Sequence, residues 1–456
     1  MTTLPTGPFF AHTQHCPMSD HGDHPSSLDP ALERVYAALV DEEDARTCRD
    51  ISEAACRVVP RAFLANTTAQ AMTGFGDAII SPKTTLPWLL TALGAPAWAA
   101  GLLVPLREAG SLLPQLAIAG WLRALPRRKF AWMVGAGLQG ASVLGIAGAA
   151  LALEGQPFAI AVLSLVALFS LSRGICSVAA KDVLGKTVAK RRRGQVSGYA
   201  ASVAGAGTLI LALALWWLGD PERMPYVPML LLGGALWLVA IPVYQLIPEY
   251  PGATEGGANG LREAARRMHV VVEDAAFRRY LLVRFALIST ALIGPFVVVL
   301  GRERTGLTLA YFLFAQGSAS LIAGPIWGRF ADLSSRRVLI IAAAGAATVG
   351  IATAMAAWLA PSLLSTKWML PTVFLALAIL HDGVRLGRKT HIVDLAGGNK
   401  RTDYVAVGNT LTGVALLAVG ALLALVPLAV GGKILMLASV AGLGAALAAT
   451  LSDVQT

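Results

Sequence analysis

The stretch GWLRALPRRKF, residues 120–130, returns 208 positions later as GRFADLSSRRV, residues 328–338. Gly120 falls on Gly328, Leu125 on Leu333, Arg128 on Arg336 and Lys129 on Arg337. The same shift, without a gap, puts Lys181 over Lys389 and Arg193 over Arg401. Basic loops that recur in fixed register point to a duplicated unit. Apolar segments of about 20 residues flank each copy, the length that carries a helix through a hydrocarbon core of roughly 30 Å. Hydrophobic types make up 55% of the 456 residues and charged types 14%, with a mean hydropathy of +0.63. That balance belongs to a polytopic membrane protein.

Spans are expected over 64–90, 97–121, 131–152, 157–180, 194–218 and 225–247, then 280–300, 308–328, 337–360, 367–386, 404–428 and 431–451. The fold class that follows is all-α, twelve transmembrane helices in two pseudo-symmetric six-helix bundles. The expected organisation is a tail at 1–60, bundles at 61–247 and 280–456, and a connector at 248–279. Loops near 121–130, 181–193, 329–337 and 385–403 hold eighteen Lys/Arg, and the alternating turns hold five. Basic loops stay on the cytoplasmic side, so both termini are expected there, in the inner membrane of a bacterium. The formal charge of +10 therefore reflects topology and implies no nucleic acid. Cys16, Cys48, Cys56 and Cys176 fall in the tail or a span, which gives no case for a disulfide. The start is polar and shows no cleavable signal peptide.

The tail carries ten acidic residues against four basic ones. Asp29, Pro30 and the stripe Leu32, Tyr36 and Leu39 predict one short helix. Before it, His12, His15, Cys16, His21 and His24 are side chains able to bind zinc, against the alternative of a polar tail with a biased composition. In the connector, Leu261, Ala265, Met268 and Val272 recur at helical spacing, which predicts a linker helix, with a helix lying along the membrane face as the alternative.

The loop pattern Gly-x-x-x-Asp-x-x-x-Arg-Arg, met here as Gly328, Asp332, Arg336 and Arg337, resembles the signature loop of the major facilitator superfamily. Gly120, Arg128 and Lys129 match it in the first half, where Ala124 replaces the acid. Arg173, in LSRGICS (residues 171–177), resembles the membrane arginine of that family. The resemblance implies two six-helix halves with a substrate site between them, and loops that lock one conformation through charge contacts across the halves. The fifth span, with GYAASVAGAGTL at 198–209, lacks the Gly-Pro pair common in proton-driven drug antiporters of the family.

Intramembrane charge marks the candidate site. In LVPLREAGSLLPQ, residues 103–115, Arg107 and Glu108 stand side by side in mid-span. Neighbours on a helix point about 100° apart, so each needs a partner elsewhere, or water. Asn66, Gln70, Thr73, Asp77, Ser81 and Thr84 share one face of the first helix. Glu108, Ser111 and Gln115 do so on the second, and Ser170, Arg173, Ser177 and Lys181 on the fourth. Three polar stripes are expected to meet in a wet cavity around Asp77, Arg107, Glu108 and Arg173. Pro82 predicts a kink just beyond Asp77, and Lys83 is placed either to bind a carboxylate or to snorkel outward. Asp77 or Glu108 is the candidate proton carrier, with Arg107 or Arg173 competing for the carboxylate. The alternative is a static ion-pair network that fixes helix packing.

The second half offers His381, Asp382 and Asn409 as secondary candidates, with Arg284 read as an anchor, against the alternative that it lines the inner mouth. GAGLQG at 135–140 matches a dinucleotide fingerprint, yet no strand precedes it, and small residues there suit close helix packing. No nucleophile–base pair or cofactor motif stands out, so an enzyme is not indicated. The expectation is a monomeric secondary transporter that moves a small polar or charged solute by alternating access, with protons as a candidate coupling ion. The mixed cavity charges suit an anion or zwitterion better than a greasy cation. Two alternatives stay open, a metal or metal-complex exporter that senses through its tail and a non-transporting assembly or receptor protein.

Overall fold

The computed structural model describes residues 34–36, 39, 59–189, 192–218, 226–251, 268–305, 309–395 and 400–452. Regular structure among them is entirely helical. The first span consists of α1 (Val59–Ile79) and α2 (Thr85–Ala92), the second of α3 (Ala97–Leu112) and α4 (Gln115–Arg123). α5 (Lys129–Ala152), α6 (Gly155–Thr187), α7 (Arg193–Leu218) and α8 (Tyr226–Gln245) are the third to sixth. After the short α9 (His269–Glu273), α10 (Ala275–Ala286) and α11 (Ser289–Thr305) make the seventh. α12 (Leu309–Leu333), α13 (Ser335–Leu359), α14 (Met369–Leu395), α15 (Lys400–Leu425) and α16 (Val430–Ala448) complete twelve.

Ten crossings are long and apolar enough on length and composition alone. The first two fall short because proline divides each of them. Pro82 brings no N–H, and the expected kink is a full interruption from Ile80 to Thr84, re-knit by Leu86 donating to the Ser81 carbonyl at 3.0 Å. Pro114 separates α3 from α4 in the same way. The seventh span turns at Leu287–Ile288 without proline, and the hydroxyls of Ser289 and Thr290 donate to the carbonyls of Ala286 and Leu287 at 2.7 and 2.8 Å. Hydroxyls can re-satisfy freed backbone groups in this manner inside a membrane.

Four helices run well past their expected ends, two of them by seven residues or more. The fourth span extends to Thr187 instead of 180, and the tenth to Leu395 instead of 386. Loss of apolarity ends a lipid-facing surface, but it does not end a helix whose backbone meets no proline. Arg388 and Lys389, expected in a loop, therefore continue the helix that carries Arg385, at i+3 and i+4 from it.

Connections alternate between the two ends of the bundle, so the basic loops share one face with the start of α1. The halves meet where α3 packs on α15, α7 on α12 and α2 on α11. Small residues allow these approaches. A Cβ at Gly420 would come within 2.6 Å of Pro105, and one at Gly317 within 2.8 Å of Leu209. Toward the face opposite the basic loops, Trp88 lies 4.3 Å from Tyr226 and under the Arg302 guanidinium at 4.6 Å. Between α1, α7, α12 and α14 lies a cavity of about 400 Å³, running from Thr208 and Gln316 near mid-span to Trp327 and Lys389 toward the basic loops.

In the tail, residues 34–36 are helical. The Tyr36 ring rests edge-on to Phe63 at 5.5 Å and below Arg192 at 5.4 Å. Tyr199 donates to the Leu39 carbonyl at 2.9 Å. The metal candidates His12, His15, Cys16, His21 and His24 lie outside the described residues, as do Leu261 and Ala265 of the connector stripe.

Candidate functional site

Asp77, on α1, turns toward the second and fourth spans. Its Oδ1 accepts from Arg107 Nη2 at 2.7 Å, and its Oδ2 forms an ion pair with Arg173 Nη1. One carboxylate thus faces two guanidinium groups, each supplied by a different span. Arg107 is 7% exposed, lies 4.6 Å from the Phe169 ring centre, and leaves its buried Nε without a hydrogen-bond partner. Glu108, one residue on and a third of a turn around, is exposed. No hydrogen bond or ion pair holds its carboxylate among the described residues. Its electrostatic neighbours are Lys83, Arg107, Arg173 and Arg385, from the first, second, fourth and tenth spans. Charges from so many helices converge only on the interior, so Glu108 faces the space between the halves. The adjacent pair has separate fates, one partnered and one open.

Several members of the polar stripes turn back on their own backbone. Thr73 donates to Ala69 O at 2.9 Å, Ser111 to Glu108 O at 2.8 Å, and buried Ser81 accepts from Lys83 N at 3.3 Å. Asn66 is buried against Ala62 O and Thr187, away from the charged group. Lys83 sits in the interruption of the first span with its ammonium group in the field of Glu108, Asp382, Arg385 and Arg388. It therefore points inward. Thr84 donates to Gln316 Oε1 at 2.9 Å, a direct bond between the halves.

Gln115 accepts from Asn409 Nδ2 at 3.4 Å, and Asn409 Oδ1 accepts from Arg284 Nη2 at 2.8 Å. The second, eleventh and seventh spans are joined by that chain, so Arg284 belongs to the interior and is no surface anchor. His381 is buried with Nδ1 3.0 Å from Thr290 Oγ1. Thr290 commits its one proton to Leu287 O, which assigns the donor role in that pair to Nδ1 of His381. Asp382 pairs with Arg385 at 3.1 Å, and both border the cavity with Lys389. Sequence reading placed Arg385 one turn beyond Asp382 at the end of the tenth span, and missed Arg388 and Lys389 by assigning them to a loop. Their spacing from Asp382 (i+3, i+6, i+7) was the available signal, because it continues one helical face.

The described bonds of several loop residues lie within their own halves. Arg128 pairs with Asp182, and its backbone N–H and that of Lys129 donate to the buried Glu249 carboxylate at 3.0 and 2.8 Å. Lys186 reaches the same carboxylate at 3.2 Å. Asp182 and Glu249 thus supply the acids that Ala124 lacks. In the second half, Arg336 donates to Ala449 O at 2.6 Å, and Arg337 N–H to Ser334 Oγ at 3.3 Å. Gly120 and Gly328 hold the same place in each half, and the Asp332 side chain lies outside the described residues.

An interior lined with paired and open charges between two sets of six spans is the arrangement of a carrier. The profile described as Major Facilitator Superfamily matches residues 67–420. The chain belongs to the major facilitator superfamily. No curated protein matches it in sequence. Among solved structures it is similar to the inward open conformation of the xylose transporter XylE from E. coli, at 13% identity and a TM-score of 0.61, covering 85% of this chain and 95% of that one. It is similar as well to a POT family transporter in complex with 5-aminolevulinic acid, at 13% identity and a TM-score of 0.64, covering 85% and 95%. The nucleoside transporter NupG (D323A mutant) resembles it at 10% identity and a TM-score of 0.62, covering 86% and 99%. Three different solutes on one fold leave the choice of substrate to the side chains of the site. The chain is a multi-pass membrane protein of a secondary-transporter family.

Proposed function

We propose that this protein carries a small polar or charged solute across the cytoplasmic membrane by alternating access, coupled to protons through Glu108. Residues 61–247 and 280–456 are the two moving bundles. The basic loops mark the cytoplasmic side, so a cavity that reaches toward them corresponds to an inward-facing state.

One observation carries the coupling role. Asp77 is held by two arginines, whereas Glu108 stands open among cations from both halves. Ionised, Glu108 draws Lys83 and the tenth span toward the second. Protonated, it releases them. A carboxylate whose charge state alters attraction between halves links proton binding to the equilibrium between inward and outward states. Asp77 then acts as the fixed counter-charge that holds Arg107 and Arg173 in place.

Reconstituted vesicles carrying a pH-sensitive dye, challenged with dicarboxylates, phosphates, amino acids and sugars, test this reading. The wild type should couple entry of one class to a proton flux. Glu108→Gln should lose accumulation driven by a pH gradient and keep solute exchange at equal pH. Unchanged gradient-driven accumulation in that variant would refute the coupling role. A partner recovered in stoichiometric amount, with no flux of any solute, would favour the assembly or receptor reading. The metal-exporter reading depends on residues 12–24, and loss of metal tolerance on deleting residues 1–26 would support it.

A further inference from the structure

Among the described side chains, the cations of the interior are not balanced by acids. Asp77 is occupied by Arg107 and Arg173, and Asp382 by Arg385 at 3.1 Å. Among the described residues, the side chains of Lys83, Arg388 and Lys389 then have neither a hydrogen bond nor an ion pair. Arg284 is held through a neutral amide at 2.8 Å, and its Nε is buried without a partner. Glu108 has no partner of its own among the described residues, and it is an electrostatic neighbour of Lys83, Arg388 and Lys389 alike. Arg388 also lies in the field of Arg284 and Arg385, so like charges crowd together. Cations placed in a membrane interior without counter-charge are costly, and they persist where something else supplies the charge.

Topological anchoring does not explain the group. Anchoring cations sit at span ends and reach for headgroups. Lys83 stands in the interruption of the first span, and Lys389 borders the central cavity with Arg385. The cavity, about 400 Å³, has room for a small organic molecule. The cations that border it are Arg385 and Lys389; Lys83 and Arg388 lie in the field of Arg385, and Arg284 in that of Arg388. Guanidinium and ammonium groups gathered from two halves in this way are a recognition set for oxyanions, with arginine able to grip a carboxylate or phosphate through two parallel bonds.

We infer that the transported solute is a small organic anion with at least two acidic groups, carboxylate or phosphate, bound between Lys83 of the first half and Arg284, Arg388 and Lys389 of the second. This inference rests on the transporter reading and adds the solute class. The anion fills the gap in charge and draws the halves together, while Glu108 competes for the same cations and is displaced or protonated as the solute enters.

The test uses purified full-length protein at constant ionic strength, with succinate, citrate and glycerol 3-phosphate as probes and inorganic phosphate as a fourth. Xylose and choline serve as neutral and cationic controls. At least one dianion should raise the Tm saturably by several degrees, and the controls should leave it unmoved. Arg388→Gln and Lys83→Gln should each weaken that anion at least tenfold. Both variants should keep or raise the Tm of the ligand-free protein, because each removes an uncompensated cation. A lowered ligand-free Tm with unchanged anion affinity would overturn the proposal, since it marks the cation as a packing element. Saturable stabilisation by a control solute alone would overturn it too, as would stabilisation produced only by phosphatidylglycerol vesicles, which would reassign the cations to lipid headgroups. Saturable anion binding without flux in vesicles would sink the transporter reading and leave the anion site standing. Proton-coupled flux of a neutral sugar would do the reverse.

Discussion

The third and ninth spans start at equivalent places, and their first turns are capped by different means. In the second half, Ser334 lies just before α13, and its hydroxyl accepts from Arg337 N–H at 3.3 Å. The equivalent residue of the first half is Pro126, which has no side-chain acceptor. The role passes to Glu249, beyond the sixth span, whose carboxylate takes the N–H groups of Arg128 and Lys129. A local cap needs one residue in the right place, whereas a remote one needs the bundle already folded. The charged interior shows the same contrast. Asp77, Glu108 and Arg173 correspond to Phe285, Gln316 and His381 by the 208-residue shift. The first half ties Asp77 to Arg107 and Arg173 and leaves Glu108 and Lys83 open. The second leaves Arg388 and Lys389 unpaired among the described residues, about two turns nearer the basic loops than His381. Duplication preserved the helices, and the two copies then took different parts of the chemistry.

Breaking the ionic cluster should have the largest effect. Asp77→Asn leaves a buried Arg107 without its counter-charge, and loss of one partner from a buried pair costs about 3–5 kcal/mol. Equilibrium unfolding in mixed detergent should register a loss of that order, and replacing Arg107 with Met in the same chain should restore part of it. A stability unchanged from wild type would show that water already serves Arg107.

Removing the remote cap comes next. Glu249→Ala strips two backbone N–H groups and Lys186 of a charged acceptor, each hydrogen bond to a charged group being worth roughly 1.5–3 kcal/mol before relaxation. Hydrogen exchange should quicken at the start of the third span and remain unaltered at the start of the ninth. Ser334→Ala should show the mirror pattern with a smaller loss, about 1 kcal/mol, as is usual for a hydroxyl cap.

The smallest effect expected is on the bond between halves. Thr84→Val removes the donor to Gln316, a neutral hydrogen bond worth about 1 kcal/mol. A change of that size shifts a two-state equilibrium about fivefold. Thiol labelling of single cysteines placed on the face opposite the basic loops should speed up as that side opens more often. Identical labelling in both proteins would mean that the bond does not favour the inward-facing state.

Much of this was legible in the chain. The basic loops at 120–130 and 328–338, with apolar segments of membrane length around them, carried the class, the number of spans and the internal repeat. Residue types and helical spacing brought Asp77, Arg107, Glu108 and Arg173 forward as a group. Spacing did not say that Arg107 would take the carboxylate while Glu108 stayed open, since both lie on one helix a third of a turn apart. Nor does apolarity mark where the tenth helix stops, so Arg388 and Lys389 fall in a loop on the sequence reading alone.

The sequence by itself determined that the chain crosses a membrane repeatedly, is built of two related halves and buries charge in the first, because each of these follows from local composition and period. Only the tertiary structure decided which charges meet. Arg173 is 96 residues from Asp77, Glu249 is 121 from Arg128 and Lys83 is 305 from Arg388. Pairing over such distances depends on how helices turn against one another, and no short window of sequence holds that rotation.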